Sequence, residues 1–360
     1  MPKLILLVLL VAVVAGGGYF YANYDVDIGR DDDGNFRSIK VSAAGDSDSP
    51  TPPKTPSEEQ PPVSPRSTIR IATFNLAAFN EDKLANHRIS DILVSVLPQF
   101  DIVAVQDIRA INQGVLVQLV ERINATGAQY DYAVGPDVQR GTVMRHTNQD
   151  TVGPYETIEP YSAFLFDKTI IEIDRSTVTS VKDTADRFRC DPLIALFRVR
   201  GPEAAEAFTF KLINVHTDAR RAAVELDLLD DVFRAVRNGD SLAVRDEGRN
   251  EDDVILLGDF GTEADHVKQL AGLPGLVSTI GLVPTTIGGM LPVDNILLDG
   301  RATTEFTGRS EVFDLIGELD LSLPTARALS EHLPVWAEFS RYEGGQAGHV
   351  AAGGPASTHQ

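Results

Sequence analysis

Six short apolar runs, each opening or ending in a polar residue, constrain the fold more than any other feature of this sequence. They read Ile69-Arg-Ile-Ala-Thr-Phe-Asn75, Asp101-Ile-Val-Ala-Val-Gln-Asp107, Leu212-Ile-Asn-Val-His216-Thr, Val254-Ile-Leu-Leu-Gly-Asp259-Phe-Gly, Val293-Asp294-Asn-Ile-Leu-Leu and Ser330-Glu-His332-Leu-Pro-Val. Runs as continuously apolar as Ile102-Val-Ala-Val and Val254-Ile-Leu-Leu predict strands buried on both faces. A buried strand that ends in Asn, Asp or His delivers a polar group to the rim of its sheet, and several such deliveries in one domain predict a shared site. The patterning predicts strands at 69–75, 101–106, 163–167, 193–199, 207–215, 253–257, 293–298 and 333–340. Helices are predicted at about 82–97, 112–124 and 219–237, where apolar residues such as Leu226, Leu229 and Phe233 recur at three- and four-residue spacing.

A chain of 360 residues could hold two domains, but the first and last of these runs have to meet, which predicts one large α/β domain. Its hydrophobic fraction of 43% is ordinary for a packed core, so composition gives class and not function. The net charge of −20 excludes nucleic-acid binding through a broad basic surface, but not a hydrolase whose cleft takes positive charge from bound cations. The lone cysteine, Cys190, excludes an intrachain disulfide. Residues 4–22 are apolar or small, about 28 Å as a helix, which just spans a bilayer. Lys3 precedes this segment and Asp31, Asp32 and Asp33 follow it, the charge bias of an N-terminus inside and a domain outside. Val13-Val14-Ala15 also reads as a cleavage site, so residues 1–29 are either a membrane anchor or a signal peptide, and the domain is exported in both cases. The Pro- and Ser-rich residues 30–67 read as a disordered linker, 68–342 as the globular domain and 343–360 as a loose tail.

The order and spacing of the six runs resemble the endonuclease/exonuclease/phosphatase superfamily, and within it the deoxyribonuclease I-like branch. The likeness covers about residues 69–341 and extends to Tyr161-Ser-Ala-Phe-Leu-Phe-Asp167, Asp191-Pro192-Leu and the helix-like Glu225-Leu-Asp-Leu-Leu-Asp-Asp-Val-Phe-Arg. It implies an α/β fold, a four-layer α/β/β/α sandwich with two packed mixed sheets. It also implies a catalytic histidine pair, His332 as general base and His216 as general acid with the roles exchangeable, because imidazole titrates near neutral pH. Asp294 for His332 and Glu159 for His216 are the implied carboxylate partners. Asn75 and Asp107 are implied to hold a divalent metal against the phosphate, with Asp259 and Glu331 as further candidates for the metal or the attacking water. Hard Mg²⁺ suits such oxygen ligands, with Mn²⁺ or Ca²⁺ as alternatives.

Four positions depart from the family pattern: Asp107 stands where a glutamate is usual, Gly261 for an asparagine, Cys190 for an arginine and Glu331 for an aspartate. Arg189, one place early for the arginine, is with Asn75 a candidate phosphate-binding residue, although it would point to the opposite face if the segment were a strand. The leading expectation is a phosphodiesterase acting on nucleic acid, reaching the membrane only through its N-terminal segment, with no obligate protein partner. The alternatives are a phosphatase or phospholipase acting on inositol phosphates or lipid head groups, and a binding module whose turnover has weakened.

Overall fold

The computed structural model describes residues 66–139, 159–181, 183, 185, 187–239, 251–261 and 275–345, and as backbone strands 24–30, 36–43, 145–147 and 156–158. The chain divides into two units, Met1–Ser64 and Pro65–Gln360. In the first, β1 (Tyr24–Arg30) pairs antiparallel with β2 (Phe36–Ala43), Val26 opposite Val41 and Ile28 opposite Ile39. This hairpin falls where the sequence predicts the end of the anchor and the start of the linker. Its apolar alternation is short and interleaved with charge, too weak a pattern to announce a strand. The apolar stretch at 4–22 and the tail beyond residue 345 lie outside the described residues, among which no helix is long and apolar enough to cross a membrane.

The second unit holds β3 (Thr68–Phe79), β4 (Ile102–Ile108), β5 (Tyr130–Val134), β6 (Arg145–Thr147), β7 (Glu156–Ile158), β8 (Tyr161–Asp167), β9 (Ile171–Ser180), β10 (Leu193–Val199), β11 (Thr209–His216), β12 (Val254–Asp259), β13 (Leu276–Ser278), β14 (Asp294–Asp299), β15 (Phe306–Val312) and β16 (Val335–Ser340). Two six-stranded sheets run β15-β16-β3-β4-β8-β5 and β13-β14-β12-β11-β10-β9, and β6 pairs with β7 apart from them. Each six-stranded sheet has one parallel pair at its centre, β3 with β4 and β11 with β12, and antiparallel neighbours elsewhere. The sheets are therefore mixed, as the resemblance implies.

Alternation along these strands builds three apolar layers. Ile71, Ile102 and Phe164 of one sheet meet Phe197, Leu212 and Leu257 of the other between the sheets. Phe74, Val103 and Val105 turn outward onto Leu93, Leu116 and Leu119 of the helices His87–Val96 and Gly114–Asn124. Ile213, Val215 and Leu256 turn onto Leu226, Leu229 and Phe233 of the helix Ala222–Arg237. Helix, sheet, sheet, helix is the predicted four-layer order. The single helix predicted over 82–97 is two, Glu81–Ala85 and His87–Val96, because Asn86 ends the first and caps the second, its side chain accepting from Arg88 N and Ile89 N.

One polar bridge crosses the dry space between the sheets. Gln106 Nε2 donates to Asn214 Oδ1 at 2.7 Å and to Thr73 Oγ1 at 2.9 Å. Asn214 Nδ2 donates to the carbonyls of Val105 at 3.2 Å and Ala163 at 3.0 Å. Gln106 and Asn214 are fully buried, so loss of either partner leaves desolvated polar groups unpaired. Asn214→Leu is expected to lower unfolding free energy by about 3 kcal/mol, measured by urea denaturation; a change below roughly 1 kcal/mol would show that the bridge contributes little.

Candidate active site

The register of the central strands fixes the site. His216, Asp259 and Asp294 are side-by-side partners on β11, β12 and β14, at the same end of the sandwich as the partners Asn75 and Gln106 on β3 and β4. Gly258 allows β12 to approach β11 this closely: at its φ of 149° a Cβ would lie 2.0 Å from the Val215 carbonyl. Asn75 Nδ2 donates to Asp259 Oδ2 at 2.8 Å, joining the two sheets at the floor of a cleft of about 510 Å³. Around that same oxygen stand both histidines, His216 Nε2 at 3.9 Å and His332 Nε2 at 3.8 Å.

His332 Nδ1 lies 2.9 Å from Asp294 Oδ2, and Asp294 also accepts from Thr285 Oγ1 at 2.8 Å. Burial alone would lower the imidazole pKa, but Asp294, through its charge and hydrogen bond, together with Asp259 and Asp107, raises it to about 9. Asp294, fully enclosed, is raised by burial to about 6 against the pull of His332. Both shifts follow from close packing of acid and base, and the direction that governs chemistry is the imidazole's: three nearby carboxylates favour its cation. Ser330 Oγ donates to the Asn75 carbonyl at 2.7 Å and accepts from His332 N at 2.9 Å, anchoring the segment before β16 against β3.

The opposite wall is cationic. Asp107 accepts from Ala78 N at 2.6 Å and from Arg109 Nε at 2.7 Å. Asp107, Ala77 and Ala78 all have left-handed backbone, with φ of 57°, 46° and 59°. Lys83 Nζ clasps this lip by donating to the carbonyls of Leu76 at 2.8 Å and Ala77 at 2.6 Å. Arg189 faces the cleft, and its backbone is held by buried Glu225, whose Oε1 accepts from Arg189 N at 3.2 Å and whose Oε2 accepts from Asp218 N at 3.3 Å.

No family model matches the chain. Deoxyribonuclease gamma of Rattus norvegicus is 25% identical over 285 residues, 74% of this chain and 83% of that protein. Deoxyribonuclease-1-like 2 of Mus musculus is 25% identical over 76% of this chain and 92% of its own length. Deoxyribonuclease-1 of Gallus gallus is 24% identical over 74% and 91%. Over about three quarters of its length the chain is similar to deoxyribonucleases of the deoxyribonuclease I-like branch. A solved endonuclease/exonuclease/phosphatase family protein from Bacteroides thetaiotaomicron covers 75% of this chain and 97% of its own at 14% identity, with a TM-score of 0.45.

Against the pattern of this branch, two implied placements need correction. Glu159 does not pair with His216: the His216 Nδ1 is buried without a hydrogen-bond partner among the described residues, and Glu159 lies 3.9 Å from Arg189. Glu331 stands on the rim, 61% exposed, 3.7 Å from Arg327, and is not brought to Asp107 or Asp259. Arg189, the candidate phosphate-binding residue, lines the cleft, because residues 189 and 190 form a bend and not the strand that would have turned it away. Cys190 is the one turned inward, its Sγ 3.7 Å from Ser162 Oγ, and burial pushes its thiol up to about 12. Gly261 occupies a left-handed turn, φ 62°, where a Cβ would lie 2.9 Å from Thr217 O, so an asparagine there requires the neighbouring loop to shift. Thr285, Arg109 and Glu225 join the site through tertiary contacts that no sequence motif marks, and Ser330 through the motif that carries His332.

Because Asp294 sustains the imidazolium, Asp294→Asn is expected to bring the His332 titration down from about 9, followed by NMR of the imidazole protons across pH. An unchanged midpoint would mean that Asp259 and Asp107 suffice.

Proposed function

We propose that this protein is an exported, divalent-metal-dependent phosphodiesterase that hydrolyses nucleic-acid phosphodiester bonds with water as nucleophile. The observation that carries the reading is the pair of imidazoles flanking one carboxylate oxygen, His216 at 3.9 Å and His332 at 3.8 Å from Asp259 Oδ2. The likeness to deoxyribonucleases over about three quarters of the chain supports the substrate class. Hydrolysis needs one group to accept a proton from water and one to return a proton to the departing oxygen. Asp294, Asp259 and Asp107 favour the His332 cation, so we assign it the donating role and His216 the accepting one, the reverse of the order the resemblance implies and an exchange it allows. Asn75 fixes Asp259 between them, and Asp294 fixes the tautomer and orientation of His332. Arg189 and Arg109 supply the positive wall that a phosphate needs.

Asp107, Asp259 and the Asn75 amide carbonyl form an all-oxygen donor set that suits Mg²⁺, Mn²⁺ or Ca²⁺, with Arg109 to be displaced from Asp107 on binding. Such an ion, when bound, stabilises negative charge on the phosphate. Export rests on the apolar residues 4–22 and their flanking charges; whether cleaved or retained, that segment leaves the catalytic domain, residues 68–342, outside the cytoplasm.

Purified protein is expected to nick supercoiled plasmid with Mg²⁺ plus Ca²⁺ and to stop in EDTA, and His216→Ala and His332→Ala are each expected to lose about a hundredfold or more in rate. Folded protein that leaves plasmid intact while releasing phosphate from inositol phosphates or lipid head groups would move the substrate class, and no hydrolysis of either would leave a binding module. If His332 is the donor, the rate falls as pH rises through about 9, and Asp294→Asn moves that fall to lower pH. A rate that instead climbs towards pH 9 returns His332 to the base role.

A further inference from the structure

The edge of the cleft that carries Asn75 and Asp107 is built on an interruption in the sheet. β3 and β4 pair as far as Asn75 with Gln106 and resume at Phe79 with Ile108, so Leu76, Ala77 and Ala78 bulge out opposite the single residue Asp107. Ala77, Ala78 and Asp107 are three of the four residues other than glycine with left-handed backbone among the described residues. A side chain disfavours that region, so an alanine stays there only when its surroundings hold it.

Two hydrogen bonds from the bulge aim the side chains of the cleft. Ala77 N donates to Asn75 Oδ1 at 2.8 Å, which leaves Asn75 Nδ2 turned to Asp259, and Ala78 N donates to Asp107 Oδ2 at 2.6 Å. Where the ladder is broken, backbone carbonyls need another donor. Lys83 Nζ supplies it to two of them at once, 2.8 Å from the Leu76 carbonyl oxygen and 2.6 Å from that of Ala77. The short helix that carries it, Glu81–Ala85, is itself pinned: Asn80 Oδ1 accepts from Lys83 N at 2.9 Å, and Arg122 Nη1 donates to the Leu84 carbonyl at 2.8 Å. Lys83 is not among the residues that line the cleft, so its charge is engaged by backbone and not turned to a substrate.

We infer that Lys83 is a positioning residue of the cleft: its ammonium, by bridging two successive carbonyls, locks the bulge at 76–78 in the left-handed form that aims the Asn75 amide and the Asp107 carboxylate into the site. In an extended strand successive carbonyls point to opposite sides, so one donor reaches both only while the bulge keeps its shape. A stem of the same length without the charge fills the same space but lets the bulge relax towards ordinary extended backbone, which releases both side chains. The consequence for rate rests on the hydrolytic reading of the cleft, and the consequence for geometry does not.

The test compares the full-length protein with Lys83→Met, which keeps the stem and removes the ammonium, at neutral pH. The first readout needs no turnover: hydrogen exchange of the Asn75 side-chain amide, followed by NMR with isotope-labelled asparagine and assigned by its absence from Asn75→Ser. In Lys83→Met this exchange is expected to quicken by about tenfold or more as the bond to Asp259 is released, with Tm within a few degrees of the parent. The second readout is steady-state cleavage of plasmid. There kcat is expected to fall about tenfold or more at little-changed KM and unchanged salt dependence, and Lys83→Arg, which keeps a charged donor for both carbonyls, to recover most of it. Unaltered exchange in a folded Lys83→Met protein overturns the proposal. So does a raised KM with a weaker salt dependence, which makes Lys83 a phosphate contact. A parent that cuts no nucleic acid removes the hydrolytic reading alone, and the exchange measurement still decides on Lys83. Should Lys83→Met not fold, Lys83→Gln, too short to reach both carbonyls, takes its place with the same expectations.

Discussion

Two parallel strand pairs set back to back, β3 with β4 and β11 with β12, govern the molecule. Parallel pairing sends all four strands out at one end, and polar contacts hold the two sheets in register there: Gln106 to Asn214 within the core, and Asn75 to Asp259 at the surface of the cleft. Such a link costs desolvation and returns little net stability. Its value is geometric, because a slip of one residue on any of these strands would turn Asp259 or Asn75 to the wrong face. The remaining elements cover this assembly with apolar faces.

Electrostatics at the cleft follow from how far each acid is buried. Asp294 is enclosed and shares its fate with His332, whereas Asp107 is met by the half-exposed guanidinium of Arg109. The cleft is thereby divided into an acid-rich side, which fixes protonation of an imidazole, and an arginine-bearing side fitted to an anion. A chain of net charge −20 can in this way admit a phosphate locally while repelling one almost everywhere else.

Much of this was legible in the sequence, for a physical reason. The central strands are buried on both faces and read as apolar runs, so their positions emerged within a residue or two except at the far end of β3, which runs on to Phe79, and their polar ends marked His216, Asp259, Asp294 and Asn75. Edge strands escaped. β9 and β15 carry Glu172, Asp174, Arg175, Arg309 and Glu311 because an exposed edge needs polar residues, and each has a break in register that spoils its alternation. The partners of the site were hidden for another reason. Thr285 reaches Asp294 and Glu225 reaches Arg189 by tertiary folding alone, and no local pattern announces such meetings. The direction of Arg189 depended on whether its segment was a strand, which the sequence around it leaves open.

The bend at residues 189 and 190 also decides how reactive the single cysteine can be. With Arg189 facing outward, Cys190 becomes filler, its sulfur enclosed beside Ser162 and its thiol held far from ionisation. A thiol that cannot reach its thiolate neither exchanges with disulfides nor traps metals. The single cysteine is therefore chemically silent while the domain is folded and becomes reactive only when the wall that carries Arg189 comes apart, which makes it a built-in reporter of opening at the edge of the cleft.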